Sequence, residues 1–378
     1  MRDIPEFKID DVGSAASALS LNDLRKLAGG KGDPIDSDVP LTYAPSLGSL
    51  ELRRRLAEIF ATPEAPLTED NVLITPGSIM ANCLVLATTC TKGDHVICQF
   101  PTYGQLYLLP KYFGAEVDLW VMREEKSWIP DIEQLKQMIK PNTKAIILNN
   151  PSNPTGTTLP EETLKQIRDL ARLHNVTIIG DEVFRPLFHG ETSTPPSVIS
   201  LGYAKTVITG SVSKAYSLPG IRIGWVISPD PEVLKQVTVA RDYTTLNVSR
   251  VDDAIALFAL SPNVLPKILA RNLETGAANI KLIDEFIERH SGRYRWIRPT
   301  GAGTAFIQIL GPDGQPIDEA AFADRLIDET ATSVIPGGLG FGEPGVADFK
   351  GYVRLNLSYP PKLLEQGLKS IQLVLEKY

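Results

Sequence analysis

Residues 206–228 read TVITGSVSKAYSLPGIRIGWVIS. Two runs, 206–213 and 221–228, have the length and the Val, Ile and Thr content of buried strands. Around and between them stand Ser211, Ser213, Lys214, Pro219, Gly220 and Arg222. Open α/β sheets bind ligands beyond the carboxyl ends of their strands. A strand end that carries serines, a lysine and then an arginine is therefore read as part of a binding site.

Outward from this stretch the same arrangement repeats. VLIT (72–75), HVICQF (95–100), EVDLWVM (116–122), KAIILNN (144–150) and VTIIGDEV (176–183) are further apolar runs. Helical patterns at 78–89, 103–113, 135–139 and 160–174 separate them. A helix at 50–60 precedes them with Leu52, Leu56, Ile59 and Phe60 on one face. Short apolar strands alternating with helices predict an α/β fold with a mostly parallel sheet covered on both faces. After about residue 230 the pattern changes. Helices at 232–243, 251–260, 265–288, 319–329 and 361–376 accompany strand-like runs at 306–310 and 352–358, which predicts a smaller α+β domain. The reading divides the chain into an arm (1–40) joining the small domain, a large domain (41–250) and a small domain (251–378).

Composition agrees with this class. The chain has 378 residues, 43% apolar and 22% charged, which excludes a disordered chain. Its net charge of −7 and lack of a basic patch argue against a nucleic-acid partner. No run of 18 apolar residues and no N-terminal apolar segment occur, so neither a membrane span nor a secretory signal is expected. Cys83, Cys90 and Cys98 are read as reduced thiols, which places the protein in the cytoplasm.

The other strand ends carry chemistry of their own. Thr75-Pro76-Gly77-Ser78-Ile79 opens a helix, where a glycine lets backbone N–H groups approach an anion. Tyr103 follows the next strand and either stacks on a flat ligand or packs. Pro151-Ser152-Asn153-Pro154-Thr155-Gly156 is a stiff loop with one amide, Asn153. Asp181-Glu182 ends an apolar strand, and a buried acid needs a cationic partner. An anion cradle, an aromatic plate, an amide, a carboxylate, a lysine and an arginine suit a planar, phosphorylated, carbonyl-bearing cofactor with a basic ring nitrogen. Pyridoxal 5′-phosphate (PLP) meets each requirement.

The order Tyr43…Gly48…Leu52-Arg53, Thr75-x-Gly77, Asn153-Pro154-Thr155-Gly156, Asp181-Glu182, Ser211-x-Ser213-Lys214…Arg222-x-Gly224 and Arg354 resembles the fold type I PLP enzymes of aminotransferase class I/II. Arg241-Asp242-Tyr243-Thr244-Thr245 and Phe7-Lys8 are similar to a capreomycidine-synthase-like subgroup. The resemblance implies that Lys214 bonds the cofactor aldehyde and later moves the substrate proton. Asp181 pairs with the ring nitrogen, Asn153 bonds the ring hydroxyl, and Tyr103 covers the ring. Gly77, Ser78, Ile79, Ser211 and Arg222 hold the phosphate. Tyr43 reaches the phosphate of a second copy, which implies a homodimer with shared active sites. Arg354 grips the α-carboxylate of an amino-acid substrate, with Asn153 beside it, and the arm around Ser14–Ser20, Ser17 among them, lines the substrate pocket.

One position departs from the family pattern. Phe184 stands where a tyrosine usually donates to the ring hydroxyl. Loss of that donor is either neutral or marks a shift from transamination toward elimination, replacement, cyclisation or oxidation. The main reading is an aminotransferase; the alternative is a PLP-dependent lyase, cyclase or oxidase of specialised amino-acid metabolism. A transcriptional regulator on this fold would carry a DNA-binding domain ahead of Tyr43, and the 42 preceding residues are not basic. Gly29-Gly30-Lys31 lacks the Ser or Thr of a P-loop, and the four histidines are too scattered for a zinc site.

Overall fold

The computed structural model describes residues 9–10, 13–190 and 194–377. Phe7 and Lys8 lie outside the described residues. Strand β1 (Ile9–Asp10) is followed by seven strands of one sheet: β2 (Val72–Thr75), β3 (His95–Phe100), β4 (Glu116–Val121), β5 (Thr143–Asn149), β6 (Thr177–Asp181), β7 (Thr206–Ser211) and β8 (Gly224–Ile227). Their spatial order is β2-β8-β7-β6-β5-β3-β4. Strands β7, β6, β5, β3 and β4 are parallel, whereas β8 is antiparallel to both its neighbours. The mostly parallel sheet is thus mixed at one side. The link from β7 to β8 holds only the short 3-10 turn Pro219–Ile221, and a parallel return needs a crossover element.

Successive residues of the strands feed two cores. Ile74, Ile146, Ile178, Ile208 and Ile227 pack on one face with Leu52 and Leu56 of the helix Leu50–Phe60. Leu73, Ala145, Ile147, Ile179, Val207 and Val226 pack on the other with Leu84 and Val85 of the helix Ser78–Thr89. Each such aliphatic side chain, taken fully out of water, contributes roughly 1.5–3 kcal/mol. Both faces are covered, so the strands read as continuous apolar runs rather than as alternation.

The second body is built on β9 (Tyr294–Trp296), β10 (Thr304–Ile309), β11 (Thr332–Ser333), β12 (Ile335–Pro336) and β13 (Tyr352–Asn356). Strands β12-β13-β10-β9 form an antiparallel sheet, and β1 pairs in parallel with β11. Phe322, Leu326, Leu364, Leu368 and Ile371 pack this smaller core. The helix Arg250–Ala259 belongs to the large core, through Ile255, Ala256 and Ala259. The long helix Leu265–Arg289 serves both, with Ile268 in the large core and Ile280, Ile283 and Phe286 in the small one.

Cys90 and Cys98 are buried in the large domain, and burial pushes the Cys90 thiol up to about 12. Among the described residues no helix is long and apolar enough to cross a membrane.

Candidate active site

Strand register brings the loop residues to one edge of the large sheet. Asn149 lies opposite Asp181, Asp181 opposite Thr209, and Gly224 opposite both Ser211 and Thr75. Because β8 runs backwards, its first residue stands beside the last residues of β2 and β7. A cavity of about 410 Å³ opens at this edge.

One end of the cavity is a cradle made by close backbone approach. Gly77 has φ +81 and precedes the helix Ser78–Thr89 with no side chain capping its first N–H groups. A Cβ on Gly77 would lie 2.4 Å from Arg222 Nη2, and one on Gly224 would lie 2.5 Å from the Ser78 nitrogen. Both positions therefore need glycine, for the guanidinium and the helix N-terminus to meet. Arg222 sits in the left-handed region at φ +53, and its Nη1 donates to the Pro219 carbonyl at 2.8 Å. Uncapped N–H groups, the helix dipole and a guanidinium together favour an anion. Ser78 and Ile79 line the cavity, as the sequence predicts. Ser211 does not: its hydroxyl turns to the Ile223 carbonyl and to Ser213 Oγ, both at 2.8 Å. The lining position falls to Ser213, which also accepts from Arg222 Nη1 at 3.4 Å.

At the middle of the sheet edge Asp181 is 3% exposed. Its Oδ2 accepts from Asn82 Nδ2 at 3.0 Å and its Oδ1 from the Val183 amide at 3.1 Å. Thr209 Oγ1 donates to Asn82 Oδ1 at 2.5 Å, which fixes the amide orientation. Among the described residues no cationic side chain forms an ion pair with Asp181. Burial consequently pushes its carboxyl above the usual carboxylate range, and the two hydrogen bonds oppose that only in part. Sequence reasoning missed Asn82. Its one signal was a lone amide in the apolar helix segment SIMANCLVLATT, one turn after the cradle.

Lys214 lines the same cavity as Asp181 and Arg354. Burial is the largest influence on its amine and the Arg354 and Arg222 guanidiniums add to it, against Asp181, so it is held at about 8. Arg354 is buried; its Nη1 donates to Asn153 Oδ1 and its Nη2 to the Gly13 carbonyl, each at 3.1 Å. The Asn153 backbone N–H in turn donates to Asn149 Oδ1 at 2.8 Å, so one chain of bonds runs from β5 to β13. Tyr103, partly exposed, and buried Phe184 complete the lining. Phe184 packs with Val183 and Ala302 and brings no donor to its edge.

Besides Ser211, the sequence-predicted residues Ser17 and Tyr43 do not line the cavity. Ser17 is held away: its amide bonds the Ser358 carbonyl and its own carbonyl accepts from Arg271. Gly13 and Ser14 line the cavity in its place. Tyr43 stands 77% exposed, outside the cavity of its own chain.

The sequence profile described as aminotransferase class I and II matches residues 36–371. The chain belongs to this family. Members of the family use pyridoxal 5′-phosphate, and the chain is a PLP-dependent transferase of aminotransferase type. A solved PLP-dependent aminotransferase of Streptococcus suis superposes with a TM-score of 0.88 at 34% identity, over 98% of this chain and 94% of that one. The aspartate aminotransferase of Pyrococcus horikoshii is 28% identical over 335 residues, 88% of this chain and 83% of that protein. The capreomycidine synthase of Streptomyces vinaceus is also 28% identical, over 86% of this chain and 79% of that protein.

Proposed function

We propose that this cavity holds PLP and an α-amino acid, and that the chain moves the amino group between the two. The observation that carries the reading is Lys214, a half-buried amine held at about 8, in one cavity with a buried carboxylate that has no ion-pair partner among the described residues. The residues fit the group. The Gly77–Arg222–Gly224 contact makes a cradle that any Cβ would fill, and the uncapped N–H groups of Ser78 and Ile79 face an anion there. Asp181 offers its charge to a ring nitrogen, and Tyr103 and Phe184 are the aromatic walls.

When bound, the cofactor supplies a sink for the electron pair left at the substrate Cα. Lys214 attaches it and, once released, takes and returns the Cα proton. Asp181 keeps the ring nitrogen protonated, with Asn82 orienting its carboxylate. With its oxygen taken by Arg354, Asn153 has its amide N–H to offer the ring hydroxyl. Arg354 binds the substrate carboxylate as a two-pronged donor.

A single-turnover experiment with an amino-acid panel tests the reaction. Transfer leaves pyridoxamine phosphate on the protein in stoichiometric amount. Ammonia or a cyclic product without it supports the second reading, a lyase or cyclase. That reading has one specific observation behind it, the donor-free edge at Phe184, and capreomycidine synthase is among the relatives.

We also propose a homodimer with shared sites. Tyr43 and Leu41 are exposed beside Tyr243 and Leu246, and the two segments are tied by Asn247 Nδ2 donating to the Ala44 carbonyl at 3.2 Å. An exposed apolar patch of this kind supports the reading of this face as an interface. Sedimentation should give a dimer at micromolar concentration, and Tyr43→Ala should release cofactor about tenfold more readily, as loss of one charge-assisted phosphate bond requires. A monomer that retains cofactor fully overturns this. The buried reduced thiols support a cytoplasmic setting. The packing of Arg250–Ala259 supports a boundary between the domains inside Leu265–Arg289 rather than at residue 250.

A further inference from the structure

The segment that follows Gly13 is fastened to the cavity wall almost residue by residue. Arg354 Nη2 donates to the Gly13 carbonyl at 3.1 Å, and Asn356 Nδ2 to the Ala15 carbonyl at 3.4 Å. The Ser17 amide bonds the Ser358 carbonyl at 3.4 Å, and the Leu19 amide bonds the Ser217 carbonyl at 3.0 Å. Between the first two anchors Ser14 is 9% exposed, and its Oγ accepts from Lys214 Nζ at 2.9 Å. The backbone on either side of Ser14 is thus held by side chains of β13, and its hydroxyl has a fixed place in the cavity.

We propose that Ser14 is the positioning residue of Lys214, its hydroxyl holding the free lysine amine toward the Arg354 side of the cavity. The inference rests on the reading of Lys214 as the amine that carries the cofactor and the proton. A lysine has a flexible four-carbon stem, and its amine must be found in one place each time it is released. A hydroxyl suits this better than the alternatives. It accepts from the ammonium and donates to the neutral amine, so it holds both protonation states. A carboxylate in its place would raise the amine out of the range where it exchanges protons near neutrality. The charged groups that face Lys214 are Arg354, Arg222 and Asp181, on three other elements, and Ser14 adds no charge to that balance.

The test uses Ser14→Ala and Ser14→Thr in the full chain. Acetylation of Lys214 by acetic anhydride, followed against pH by peptide mass spectrometry in the cofactor-free protein, reads the apparent pKa of the amine directly. Ser14→Ala should lower it by about one unit, because the charge-assisted bond lost from the ammonium is stronger than the bond lost from the neutral amine. Ser14→Thr should restore it. With cofactor loaded, kcat of Ser14→Ala should fall about tenfold at unchanged KM. An amine pKa that does not move in Ser14→Ala, or that falls as far in Ser14→Thr, overturns the proposal. Borohydride reduction of the loaded enzyme separates this from the underlying reading. A cofactor adduct on another lysine overturns the role of Lys214 and the proposal with it. An adduct on Lys214 with an unmoved pKa overturns the proposal alone.

Discussion

Lys214→Ala should lose the visible absorbance of bound cofactor and at least about 10⁴ in turnover, because in the proposed function one substitution removes both the attachment point and the proton carrier. Its effect on stability has the opposite sign. The amine is held at about 8 against an ordinary 10.5, chiefly by burial and then by Arg354. Below pH 8 the unfolded chain and the folded chain both carry the proton, and the folded state bears its cost. That cost is on the order of 3 kcal/mol. Between pH 8 and 10.5 the unfolded chain still binds the proton that the folded chain has lost, so stability rises with pH. The cofactor-free Lys214→Ala variant should therefore be more stable than the parent at pH 7, with the gain fading as pH approaches 10.5. Urea melts at pH 7 and above pH 10 measure both. A variant no more stable than the parent at pH 7 contradicts the buried-amine argument, whatever happens to turnover.

How far the site could be read from the chain depends on where each residue sits. Asp181, Lys214 and Asn153 directly follow apolar strand runs, and the physics of open sheets puts strand ends at ligands. Their convergence was legible for that reason. Asn82 was not, because it stands in the first turns of an apolar helix and meets Asp181 across 99 positions of chain. Nothing local marks a helical amide as the partner of a distant acid. Ser14 is further still, 200 positions from Lys214, on an arm with no strong period. The sequence points to the arm around Ser14–Ser20 and to Ser17 within it, and composition cannot say which serine faces inward. The placement of the serines at 211 and 213 turns on a finer point. Alternation puts both on one face, and only the turn geometry shows that Ser211 is set back against Ile223. In the fold, the direction of β8 was available in principle. The seven residues between the runs at 206–213 and 221–228 are too few for a crossover helix.

Asp181→Asn should cut turnover by about 10²- to 10³-fold while leaving cofactor attached through Lys214. The chain places this carboxylate in the protein interior with two neutral donors and, among the described residues, no ion-pair partner. A buried charge without a counter-charge is unfavourable, so the acid is held above its ordinary 3.8 in the cofactor-free protein. In the proposed function the ring nitrogen of the cofactor would supply the cation, and that pairing would reverse the direction. An amide in the same place still accepts from Asn82 or Val183 but cannot hold a proton on the ring. The loss of one buried charge pair, several kcal/mol, corresponds to the stated drop. The stability signs follow from the same burial. With its acid raised, the folded cofactor-free chain holds a proton that the unfolded chain releases above about 3.8, so Asp181 makes it less stable as pH climbs. Asp181→Asn should therefore melt higher than the parent at pH 7 without cofactor, and the two should converge near pH 3. Adding cofactor should reverse the order, since only the parent gains a charge pair. Calorimetric melts of both proteins, with and without cofactor, give all four values. If cofactor stabilises the variant as much as the parent, Asp181 is not the partner of the ring nitrogen.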